Sequence, residues 1–113
     1  METHPREVNV YVLPDGSVPF DEWLMGLRDH KARAAIDHRI TRVRLGLLGD
    51  CRRVGNNVLE LRLDVGPGYR IYCVDDGSDI LVLCAGSKKT QPADIARAKR
   101  YWNAYQVEKK HNA

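Results

Sequence analysis

The sequence is poor in the residues that would build a metal centre or a disulfide framework. Three cysteines, Cys51, Cys73 and Cys84, make an odd number, and no two of them form a CxxC pair. Cys73 and Cys84 stand in apolar, strand-like runs, where a free thiol behaves as a small buried hydrophobe. The four histidines, His4, His30, His38 and His111, are scattered without ligand spacing. No zinc site, disulfide or cofactor is therefore expected. No apolar run approaches the roughly 18 residues that a membrane helix needs, and the start METHPREVNV carries no signal-peptide core. The expectation is a cytoplasmic protein with no membrane partner. A strong charge imbalance is missing too: 18 Lys and Arg against 15 Asp and Glu leave +3. Such a balance permits a polyanionic partner without requiring one. There are no repeats and no internal linker, so the 113 residues read as one domain, with 107–113 as a frayed charged tail.

What the chain does have is patterning. In Val58–Tyr72, Leu59, Leu61, Leu63 and Val65 alternate with Val58, Glu60, Arg62 and Asp64, the mark of a strand with one dry and one wet face. Gly66-Pro67-Gly68 turns the chain, and Tyr69, Ile71 and Cys73 return with the same alternation. A loop confined to Gly66–Gly68 sets Asp64 opposite Arg70 and Arg62 opposite Tyr72. Upstream, Cys51–Gly55 reads as a short strand and Asn56-Asn57 as a tight turn, which sets Arg53 opposite Glu60.

The flanking segments are simpler. Val8–Leu13 is a β-branched strand, and Ile80–Ala85 is apolar on both faces, as an interior strand should be. Phe20, Trp23, Leu24 and Leu27 make the apolar stripe of a short helix opened by Pro19; Ile36, Ile40, Val43 and Leu47 make that of a second. The other side of this second helix is cationic, with Arg33, Arg39, Arg42 and Arg44. A last helix starts near Pro92 with Thr90 as its cap, and Ile95, Ala98, Trp102 and Tyr105 form its buried stripe. The order is βααββββα, an α+β chain with an antiparallel-rich sheet, two N-terminal helices and one C-terminal helix. Helices are expected on one face of the sheet and an open, polar groove on the other.

Arg53, Arg62, Arg70, Lys88 and Lys89 would line that groove, with Tyr72 exposed among them to stack on a base. Glu60 is the candidate general base, and RNA supplies its own 2′-hydroxyl nucleophile, so strand cleavage needs only proton transfer and charge neutralisation. The same alternation is also what a solvated sheet face shows, with weak pairs such as Arg53–Glu60 and Arg70–Asp64. Periodicity alone leaves both readings open.

The segments FDEWL, DHRITRVRLGLLGD, VGNNVLELRLDVGPGYRIY and LVLCAGSKKTQPADIARA resemble the RelE/ParE toxin superfamily, in its HigB-like addiction-module-killer subgroup. The resemblance spans about Phe20 to Tyr101. It implies a RelE-like compact fold and the toxin of a bacterial type II toxin–antitoxin pair. The activity it implies is metal-independent mRNA cleavage on the ribosome, held in check by an antitoxin of the helix-turn-helix kind. Through that antitoxin alone would the protein meet DNA. Carried over by position, Glu60, Arg62, Arg70 and Lys88 become the catalytic set, with Tyr72 as the candidate acid. The RNA-binding candidates, Arg52, Arg53, Lys89, Arg39 and Arg42, come from the charge pattern and not from that match. A ParE-like gyrase inhibitor and an inactive relic that retains antitoxin binding are the alternatives.

Overall fold

The computed structural model describes residues 5–77 and 79–111. Strand β1 (Glu7–Val10) is followed by helices α1 (Pro19–Met25) and α2 (His30–Arg44). Strands β2 (Cys51–Arg53), β3 (Val58–Leu63), β4 (Tyr69–Asp75) and β5 (Asp79–Ser87) come next. A 3₁₀ turn, Lys88–Thr90, then leads into helix α3 (Gln91–His111). The five strands form one mixed sheet in the order β1-β5-β4-β3-β2. Only β1 and β5 run parallel; the β2–β5 meander is antiparallel.

Local chemistry accounts for the element ends. Pro19 opens α1, and Asp21 and Glu22 sit in its first turn, where the helix dipole favours acids. Asp29 caps α2 by accepting from the amides of Lys31 and Ala32 at 3.0 and 3.2 Å. The tail expected to fray is helical as far as His111, because α3 continues through it. Residues 1–4, Ser78 and residues 112–113, which include His4 and the end of that tail, lie outside the described residues.

Both hairpin registers differ from the simplest reading. Gly55, Asn56 and Asn57 all have positive φ (102°, 54° and 66°), so the first turn spans three residues, not two. Arg52, not Arg53, therefore faces Glu60, and Arg53 faces Leu59. The second loop takes in Asp64 and Val65 as well as Gly66–Gly68. Arg62 accordingly faces Arg70, and Glu60 faces Tyr72. A slip of one residue exchanges faces and a slip of two preserves them. Arg53 thus moves to the opposite side of the sheet, whereas Glu60, Arg62, Arg70 and Tyr72 still share one.

Helices cover both faces of the sheet, not one. Helices α1 and α2 pack Phe20, Ile36, Ile40 and Val43 onto Leu61, Leu63, Ile71 and Val82. On the other face α3 lays Ala98, Ile95, Tyr101 and Trp102 over Tyr11, Val58, Tyr72, Val74 and Leu83. A β-bulge makes the second core continuous: Cys84 faces Tyr72 while Val82 faces Cys73, which leaves Leu83 extra. Leu83 and Cys84 both join the α3 core as a result. The face read as wet is thus partly dry, and what remains open is the stretch beyond the start of α3.

Candidate functional site

The open stretch is a cleft of about 480 Å³ lined by Asp50, Arg62, Asp64, Arg70, Lys88 and the Gly66–Gly68 loop. Its floor comes from the hairpin: Arg62 and Arg70 occupy directly facing positions on β3 and β4. Like charges at facing positions destabilise a sheet. Each arginine is separately relieved. Arg62 donates to Asp50 Oδ1 at 2.7 Å at the rim. Arg70 leans the other way, with its Nε 3.9 Å from Glu60 Oε1. The Arg70 side chain is only 13% exposed, and its buried Nε has no hydrogen-bond partner. One terminal nitrogen of Arg70 donates to the carbonyl of Tyr69 at 3.2 Å. Lys88 closes the cleft from the 3₁₀ turn, where its backbone amide donates to the Gly68 carbonyl at 2.8 Å.

Glu60 sits behind this cleft rather than in it. Its side chain is 0% exposed. Oε1 accepts from Arg52 Nε at 2.8 Å; Oε2 accepts from the Tyr72 hydroxyl at 3.0 Å and from Gln91 Nε2 at 2.7 Å. Burial pushes its pKa up, but the donors Gln91, Arg52 and Tyr72 outweigh that and hold the carboxyl below its ordinary range. A carboxylate enclosed by donors and shut off from solvent cannot collect a proton from a strand in the cleft. The general-base expectation for Glu60 is corrected on that ground.

Tyr72 is corrected likewise. It is 0% exposed beneath α3, so it offers no ring to a base. Burial, and then its bond to Glu60, raise its hydroxyl well above the ordinary tyrosine value. It is a fixed donor to Glu60, not an acid for a leaving group.

The RNA-binding candidates scatter. Arg52 is half exposed on edge strand β2 and bound to Glu60, while Arg53 is exposed on the face that α2 covers. The Arg39 guanidinium is spent on the carbonyls of Leu48, Arg62 and Asp50 at 3.0, 2.8 and 2.6 Å. It therefore latches the α2–β2 loop and has little left to offer a phosphate. Arg42 is exposed on α2, in the helical layer across the sheet from α3, and Lys89 is exposed beside Lys88. Gln91 is the residue that sequence reasoning missed. Nothing in a local pattern links it to Glu60, 31 positions away.

Among the described residues, no group of three or more His, Cys, Asp or Glu side chains is placed to hold a metal. No described helix is long and apolar enough to cross a membrane.

Residues 22–103 match the family model of phage-derived Gp49-like proteins (DUF891). The chain belongs to the Gp49-like family. This corrects the resemblance to the RelE/ParE superfamily and its HigB-like subgroup, since the Gp49-like family is a distinct one. The physical reason is that ELR and GPGYR specify a hairpin and its charges, a requirement that more than one family can meet. A Haemophilus influenzae protein described as uncharacterized is similar to this Gp49-like chain, 42% identical over 84 residues, 74% of this chain and 85% of that protein. No solved structure matches.

Proposed function

We propose that this Gp49-like protein is the toxin of a bacterial toxin–antitoxin pair and that it cleaves mRNA on the ribosome, with the Arg62–Arg70–Lys88 cleft as its active site. The observation that carries this reading is the facing pair Arg62 and Arg70 with Lys88 above them. Stability alone gains nothing from two arginines set directly opposite each other, whereas a bound phosphodiester would bridge them.

In this reading the guanidinium groups of Arg62 and Arg70 hold the two non-bridging oxygens of the scissile phosphate. The 2′-oxygen of the preceding nucleotide attacks phosphorus. Its proton passes to Asp64, an exposed carboxylate on the cleft wall that takes the base role in place of Glu60, the other, Asp50, being bound to Arg62. Lys88 delivers a proton to the departing 5′-oxygen. The bond from phosphorus to that oxygen breaks, leaving a 2′,3′-cyclic phosphate and a free 5′-hydroxyl. Charge at the phosphate is met by side-chain cations, so positioning and electrostatics carry the step without a metal ion. The partner would be a co-expressed antitoxin, a helix-turn-helix protein that also brings the complex to DNA. Its acidic segment would meet exposed cations such as Arg42 and Lys89.

The test is induction without the antitoxin, read by primer extension on cellular transcripts and by growth. The wild-type chain should arrest growth and yield new 5′-hydroxyl ends. Arg70→Ala should lower cleavage by roughly 100-fold or more, the scale of losing a transition-state charge contact. Arrest with intact transcripts, or full cleavage by Arg70→Ala, overturns the assignment.

A further inference from the structure

Arg70 is held by an unusual arrangement. Its fork is divided between two environments: Nε faces buried Glu60, whereas the terminal nitrogens lie against the cleft loop, within 3.4 and 3.9 Å of a Cβ built on Gly68. The Glu60 carboxylate is thus one of two anchors on the Arg70 fork, the Tyr69 carbonyl being the other, and it is the one that carries charge.

Glu60 is oriented through one oxygen in particular. Oε2 is clamped between the Tyr72 hydroxyl on β4 and the side-chain amide of Gln91, which is the shortest hydrogen bond to this carboxylate. With Oε2 clamped, Oε1 is the oxygen presented to Arg52 and Arg70. Gln91 is the first residue of α3, directly after the turn that carries Lys88. One side chain thus ties the start of α3, three residues after Lys88, to the buried carboxylate that faces Arg70.

We infer that Gln91 is a positioning residue for the anion site, setting Arg70 through Glu60. The inference rests on the proposed reading of the cleft for its ligand, but the coupling from Gln91 to Arg70 is a property of the unliganded chain. The hydrogen bonds from Gln91, Arg52 and Tyr72 together keep Glu60 ionised despite burial. Losing the Gln91 bond leaves a carboxylate at neutral pH and alters its aim toward Arg70. Without Gln91, the carboxylate is held by one donor on each oxygen, Tyr72 on Oε2 and half-exposed Arg52 on Oε1, instead of by three.

The experiment uses Gln91→Met, which keeps length and packing but removes the donor, and Gln91→Glu, which replaces the donor with a second carboxylate. The arginine Nε–H resonance of Arg70 is followed by ¹⁵N NMR in the unliganded chain and during titration with inorganic phosphate; thermal melting is recorded alongside. Both variants should displace the Arg70 Nε–H signal before any phosphate is added. Both should also weaken phosphate binding, by about fivefold for Gln91→Met, in the range for coupled neighbours in one polar network. An unmoved Arg70 signal in a folded variant overturns the inference, however much stability is lost. Phosphate that moves none of Arg62, Arg70 and Lys88 in the wild-type chain would instead sink the cleft reading, leaving the Gln91–Arg70 coupling to stand or fall on the unliganded spectra. Should both variants fail to fold, the wild-type Gln91 side-chain amide decides. Slow solvent exchange supports the clamp, and exchange like that of a free glutamine amide refutes it.

Discussion

Glu60→Gln distinguishes an enclosed counter-ion from a catalytic base. The substitution keeps the shape of the side chain but removes its charge and turns one acceptor into a donor. On one side its NH₂ meets donors that cannot accept, Arg52 and Arg70; on the other, Tyr72 and Gln91 have to turn before either can accept from it. Hydrogen bonds to a charged group each contribute about 1.5–3 kcal/mol, and breaking a buried pair by removing one partner costs about 3–5 kcal/mol. Arg52 is 50% exposed and can turn to water, which reduces its share, whereas the Arg70 Nε that faces Glu60 is buried. The expected loss is about 2–4 kcal/mol, and with a urea slope of about 2 kcal/mol/M the midpoint falls by roughly 1–2 M. The pH dependence carries a sign. Glu60 has a folded-state pKa below its unfolded one, so its contribution is complete above the unfolded value near pH ~4.3. That contribution is lost as pH falls through the lower, folded value. The stability gap between wild type and Glu60→Gln should therefore be full at pH 7 and shrink in acid. Urea titrations at neutral and acidic pH measure it. A variant within about 0.5 kcal/mol of wild type at pH 7 would refute the enclosed-anion account and return Glu60 to the list of solvent-facing catalysts.

Two further substitutions probe the frame around the cleft. A Cβ at Gly86 would collide with Asp94 Oδ2 and stand 2.9 Å from Thr90 Oγ1. Asp94 is buried and accepts from Thr90 and Arg97, so it has little room to retreat. Gly86→Ala should accordingly cost about 2 kcal/mol or more by thermal or urea melting, with the start of α3 displaced. Arg39→Ala leaves the carbonyls of Leu48, Asp50 and Arg62 without their donor. It should cost about 1–3 kcal/mol while phosphate titration of the cleft changes little; a selective loss of anion binding with unchanged stability would contradict the latch role.

Much of the fold is legible along the chain because its causes are local. Alternation in Val58–Leu63 and Tyr69–Val74 marks strands, the stripe Ile36–Ile40–Val43 marks α2, and Pro19 marks the start of α1. The grouping of Arg62 and Arg70 on one face also follows from the sequence, since a register error of two residues leaves faces unchanged. The error of one residue at the first hairpin was costlier: a third positive-φ residue, Gly55, exchanged Arg52 for Arg53 beside Glu60.

Period-2 alternation says that Glu60, Arg62 and Tyr72 share a side of the sheet, but not what lies over that side. That depends on where α3 docks, a long-range packing choice driven by Ile95, Ala98, Tyr101 and Trp102 finding Val58, Val74 and Leu83. Docking divides one polar face in two. Glu60 and Tyr72 fall under the helix and become a dry, fully paired scaffold with Gln91; Arg62, Arg70 and Lys88 fall beyond its start and line an open cleft. Strand periodicity along the chain puts Arg62 and Arg70 on one face. Which charges meet water is a matter of packing, because burial is set by the surface that arrives from elsewhere in the chain.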